Sequence, residues 1–160
     1  MKRDRVARSL MGLLTLALLL AVGATGSLAG DPDRTVEKVS GSPFQATVQQ
    51  LEAAVKANRL MIVGQMNHQN MLTMMNMKIK GSQTIEVFHP QYGKILLEND
   101  AAAAIAVPLR LYVYERADGK TVVTYYKPSA AFAPFKHPEL DNLGKTLDGI
   151  LHEIVEAATR

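Results

Sequence analysis

From residue 34 onward the spacing of apolar positions changes several times, and each change marks an element. "RTVEKVS" (Arg34 to Ser40) is short and rich in β-formers, which predicts a first strand. In the next segment Phe44, Val48, Leu51 and Val55 recur every three or four residues, the stripe of an amphipathic helix. Ser42 is its expected N-cap, with Pro43 at the first helical position and Gln45 completing a capping box. Asn58 is the expected left-handed terminator. "LMIVGQMNH" (60–68) predicts a second strand, apolar on both faces at its start and therefore expected in the middle of a sheet. "TIEVFHP" (Thr84 to Pro90) predicts a third strand stopped by proline, and "QYGKILLEND" a short helix closed by Asn99.

Two further strands are expected around Asp118-Gly119, a tight-hairpin signal. "PSAAFAPFKHP" is expected to be a loop. A terminal helix follows, with Pro138 in its first turn and Leu140, Leu143, Leu147, Ile150, Leu151, Ile154 and Ala158 at helical spacing. Strand, helix, four strands, helix predicts an α+β two-layer domain with an antiparallel sheet and helices on one face.

The first 29 residues have a different pattern. Lys2, Arg3, Arg5 and Arg8 precede an apolar run from Leu10 to Val22, and Ser27-Leu28-Ala29 places small residues where signal peptidase cuts. The expectation is a signal peptide over 1–29, a single domain over 30–160, and residence in the periplasm or outside the cell. Membrane attachment would arise only through the leader, if uncleaved. The leader also accounts for the net charge of +3. It holds four of the 18 basic residues and, in Asp4, one of the 15 acidic ones, leaving 14 against 14. A neutral domain without a Lys/Arg cluster lacks the electrostatic footprint that nucleic acid requires.

With no cysteine in the chain there is no disulfide framework, no thiol nucleophile and no thiolate ligand. Gly-x-Ser-x-Gly, His-Glu-x-x-His and a phosphate loop are also absent, so no residue pattern points to catalysis.

The chemistry that remains lies in "RLMIVGQMNHQNMLTMMNMKIKG" (59–81), which holds six of the eight methionines and His68. Met66 and His68 stand two apart and project to one strand face. Met71, Met74 and Met75 follow at helical spacing and are expected to fold back over that face. Thioether and imidazole together suit Cu(I). The other reading makes Met71 and Met75, with Leu72, soft filler between helix and sheet. His89 follows the third strand much as His68 follows the second, an arrangement that would let the two face each other and share a ligand. His137 and His152 are expected to be solvated residues at a helix start and on a helix face. Arg110, Tyr112 and Tyr114 alternate on one strand face, with Tyr126 or Tyr125 on the partner strand, and suggest an interface on the uncovered side of the sheet, with a second copy of the chain as partner.

"SPFQATVQQLEAAVKANRLMIVGQMNH", "VFHPQYGKILLENDAAAAIAVPLRLYVYE" and "YYKPSAAFAP" together resemble the "domain of unknown function 302" family over nearly all of residues 34 to 158. The resemblance rests on Asn67-His68 at a strand end, on Phe88-His89-Pro90-Gln91-Tyr92-Gly93, and on Pro108-Leu109-Arg110. It implies a TATA-box-binding-protein-like topology and no established reaction. The functional expectations are therefore an exported binding domain holding a small ligand or soft metal near Met66 and His68, or a non-catalytic dimerisation protein with methionines in its core.

Overall fold

The computed structural model describes residues 33–160, so the expected signal peptide and its cleavage point lie outside the described residues. Five strands form one antiparallel sheet: β1 (Thr35–Val39), β2 (Met61–Asn67), β3 (Ser82–Phe88), β4 (Leu109–Glu115) and β5 (Thr121–Tyr126), in the order β1-β5-β4-β3-β2. Five helices accompany them: α1 (Phe44–Ala57), α2 (His68–Thr73), α3 (Pro90–Asn99), α4 (Pro128–Phe132) and α5 (Pro138–Ala158). The expected order of strand, helix, four strands and helix holds, with α2, α3 and α4 placed in the connections. No helix among the described residues is long and apolar enough to cross a membrane.

One face of the sheet carries the core. Ile85 and Val87 of β3, Leu109, Leu111 and Val113 of β4, and Val123 and Tyr125 of β5 are buried against Val48, Leu51 and Val55 of α1 and Leu140, Leu147, Leu151 and Ile154 of α5. The period-two and period-3.6 stripes read from the sequence meet there. Fully burying each Leu, Ile or Val side chain contributes roughly 1.5–3 kcal/mol before the entropy of ordering is subtracted.

Several local expectations are corrected. β2 is an edge strand. Its register shifts between Ile62 and Gly64, and Met61 and Val63 are exposed; a bulge of this kind disrupts the ladder and leaves the outer edge a poor template for another strand. An apolar run reads as buried from composition alone, but here its outward residues meet solvent. At α1, Pro43 is the N-cap and no side chain caps the helix, so the Ser42–Gln45 capping box does not form. The Ser42 N–H instead donates to Ser40 Oγ. At the other end Arg59, not Asn58, takes the left-handed conformation, while Asn58 Nδ2 donates back to the Ala54 carbonyl.

The expected loop after β5 contains α4. Asp148 of α5 accepts from both the backbone N–H and the hydroxyl of Ser129 at its start, and the fully buried Phe132 anchors its end. Gly144 lets α5 approach closely, because a Cβ there would lie 2.6 Å from Ser129 Cα. In the β4–β5 turn the expected Asp118-Gly119 pair is present, with Gly119 at positive φ.

Candidate functional site

The second sheet face is polar and carries no helix of the core layer. Cross-strand pairs place Met66 beside Thr84, Glu86 beside Arg110, Thr84 beside Tyr112, and Tyr112 beside Thr124. Arg110 Nε donates to Glu86 Oε1 at 3.3 Å across the strand pair. The two tyrosines of β4 stack with ring centroids 5.2 Å apart, and Tyr114 donates its hydroxyl to Glu37 of β1. Burial, and then the Glu37 carboxylate, push the Tyr114 phenol above its ordinary pKa. Of the two tyrosines on β5, Tyr126 belongs to this face and is exposed, whereas Tyr125 turns into the core. Arg110, Tyr112, Tyr114 and Tyr126 thus share one surface, as their alternation implied.

At the β2 end of this face lies an open depression of about 460 Å³ lined by Gly64, Gln65, Met66, His68, Thr84, Glu86 and Arg110. Gly64 keeps it open at the edge, since a Cβ there would meet Glu86 Oε2 at 2.5 Å. His68 is fixed from below. Its Nδ1 lies 3.0 Å from Ser82 Oγ, which in turn lies 2.9 Å from the Tyr112 hydroxyl, and the imidazole meets the Tyr112 ring edge-on at 5.8 Å. When Nδ1–H donates to Ser82 and Ser82 donates to Tyr112, the Nε2 lone pair of neutral His68 is free to bind a metal or accept a proton. In the opposite polarity Tyr112 donates to Ser82, Ser82 donates to Nδ1, and Nε2 carries the hydrogen.

The methionines are not core filler. Met74 is 86% exposed and Met75 70%, and Met61, Met66, Met71 and Met77 lie between 49% and 55%. These are all the methionines of the described residues, and the core is built without sulfur. Met66 shares the depression with His68. Met71 follows His68 by three residues on α2 and so occupies the same helix face, while Met74 and Met75 continue into the exposed turn beyond it. Asn67 fixes this geometry, because its side chain accepts from the Asn70 N–H at 2.8 Å and caps α2. Its amide also donates to Gln83.

His89 does not join His68. β2 and β3 run antiparallel, so His68 sits beside Ser82 at the start of β3 and His89 follows Phe88 at its end. The seven residue steps from Ser82 to His89 separate the two histidines by about 23 Å. His89 Nδ1 instead accepts from the Gln91 N–H and caps α3, while its ring lies against Tyr92. Gly93 completes that motif, because a Cβ there would come within 2.3 Å of Phe88 Cζ. His137 is likewise a cap, accepting from the Glu139 N–H ahead of Pro138. His152 is exposed on α5. No cluster of three His, Asp or Glu side chains able to hold a metal occurs among the described residues.

Sequence reading missed Ser82. A serine at a strand start carries no signal of its own, and its role exists only because chain folding brings it between residues 14 and 30 positions away.

A five-stranded antiparallel sheet closed on one face by helices and open on the other defines a two-layer α+β domain. The chain belongs to the family "Domain of unknown function DUF302", whose profile matches residues 36–158. A crystal structure of an uncharacterized conserved protein of this family from Bacillus stearothermophilus is similar, with a TM-score of 0.72 at 18% identity. The match covers 79% of this chain and 98% of that one. At that identity the likeness shows the fold alone. Comparison with curated proteins gives no match.

Proposed function

We propose that this is an exported, non-catalytic domain of the cell envelope that binds monovalent copper at the β2–α2 edge. Met66 and His68 would be the fixed ligands, and Met71, with Met74 or Met75, would complete the set from the exposed segment. The observation that carries this reading is the exposure of all six methionines of the described residues, with Met66 in the same depression as the one histidine that leads into a helix without capping it. Methionine is usually a packing residue, and exposing several of them forgoes the stabilisation that burial would bring. Soft thioethers with neutral imidazole select Cu(I) over Mg²⁺, Ca²⁺ or structural Zn²⁺. A Nδ1–H···Ser82 hydrogen bond would orient the ring with Nε2 outward, as carbonyls and carboxylates do for other metal-bound histidines.

The leader read from residues 1–29 supports an envelope location, which intact-mass measurement on protein from its native host tests. A mass retaining Met1 to Ala29 in the membrane fraction would contradict it. Metal analysis of protein purified from the periplasm, beside Met66→Leu and His68→Ala, tests the copper site. Copper in the wild type and none in His68→Ala supports it; no copper in any of the three opposes it.

A second reading has its own observation: among the described residues no core helix covers the face bearing Arg110, Tyr112, Tyr114 and Tyr126. A second copy of the chain placed there would make a homodimer with an aromatic and arginine centre. Light scattering tests it, with Tyr126→Glu as the comparison. A monomer at concentrations on the order of tens of micromolar would remove the dimer.

A further inference from the structure

Oxidisable sulfur in this protein is sorted with unusual completeness. The chain has no cysteine, and every methionine of the described residues falls within residues 61–77 and is at least 49% exposed. The core cluster is made of Leu, Ile, Val, Phe, Ala and Tyr. Oxidation of methionine ordinarily damages a protein by making a buried apolar side chain polar. Among the described residues that lesion has no core position to act on. The segment is also held by contacts that do not involve sulfur. Asn67 caps α2, Gln69 donates to the Ile79 carbonyl, Thr73 bonds back to Gln69, and the strands on either side pair with each other.

From this arrangement we infer that residues 61–77 form a site of reversible methionine S-oxidation by peroxide or hypohalous acid, and that oxidation there withdraws soft donors from copper. The second part rests on the copper reading above. With a peroxide, the thioether lone pair attacks one peroxide oxygen. The S–O bond forms as the O–O bond breaks, a proton passes to the departing oxygen, and water (or an alcohol, from an organic peroxide) leaves. The sulfur is oxidised by two electrons and the peroxide is reduced by two. A sulfoxide presents a hard oxygen where the thioether presented a soft sulfur, so its match to Cu(I) is lost. Methionine sulfoxide reductases, acting on each epimer, reverse the step.

The test is graded hydrogen peroxide treatment of the folded protein, followed by peptide mass mapping, circular dichroism and a competitive Cu(I) titration. Oxygen additions confined to the peptide spanning Met61 to Met77, an unchanged spectrum, a fall in Cu(I) affinity of about tenfold or more, and recovery after reductase treatment are expected. Protection of these methionines until denaturant is added, or loss of the folded spectrum as they oxidise, would overturn the oxidation site. Cu(I) affinity unchanged after full oxidation would overturn the switch. Absence of Cu(I) binding by the reduced protein would overturn the copper reading and the switch with it, while the oxidation site is decided by the mass map and spectrum alone.

Discussion

Two strand-to-helix junctions in this fold begin alike and end differently. β2 runs through Asn67 into His68 and α2, and β3 runs through Phe88 into His89 and α3. At the second junction the histidine is the cap: His89 Nδ1 takes the first free N–H, Pro90 follows at the first helical position, and Gly93 accepts the Phe88 ring. At the first junction Asn67 caps instead, so His68 is released to turn onto the open sheet face and bond to Ser82. The residue before the histidine therefore decides whether the imidazole serves the backbone or faces the depression. The same contrast extends to the C-terminal helix, where His137-Pro138 repeats the capping arrangement. A histidine followed by proline at a helix start is structural in this molecule, and the one without proline is the candidate ligand.

The largest expected effect that separates the two junctions is on metal affinity. His68→Ala should lower Cu(I) affinity by more than about 100-fold, and His89→Ala should leave it unchanged, as read by competitive titration. Equal losses in both variants would erase the distinction. Next in size is Gly93→Ala, which forces a methyl group into the Phe88 ring and should cost about 1–3 kcal/mol in denaturant unfolding. Gly64→Ala at the β2 edge meets only the movable end of Glu86 and should cost less than about 1 kcal/mol. Ser82→Ala removes the partner that holds the His68 ring and should weaken copper binding by about tenfold, with the fold retained. Loss of the cap in His89→Ala should cost about 1 kcal/mol of stability by thermal or chemical unfolding.

The fold was legible from period and punctuation because its stripes are local. Phe44, Val48, Leu51 and Val55 declared α1, and Asp118-Gly119 declared the hairpin. What was not legible depended on distant partners. α4 exists because Asp148, 19 residues further on, accepts from Ser129 and because Gly144 admits it. The apolar run of β2 read as central because composition does not reveal that the strand bulges and has only one neighbour. At the site, the shared face of Met66 and His68 followed from their spacing alone. The pairing of His68 with His89 failed because antiparallel pairing puts the C-terminal ends of β2 and β3 at opposite ends of the strand pair. The methionines were open to two readings because thioethers look the same in sequence whether they fill a core or line a surface.

The central claim is that the exposed sulfurs beside His68 hold copper. Competitive Cu(I) titration of the reduced domain, spanning residues 30–160, tests it most directly. The account predicts about one equivalent bound more tightly than micromolar, and the loss of that equivalent in His68→Ala. Binding no tighter than micromolar, or tight binding that survives His68→Ala, would contradict it.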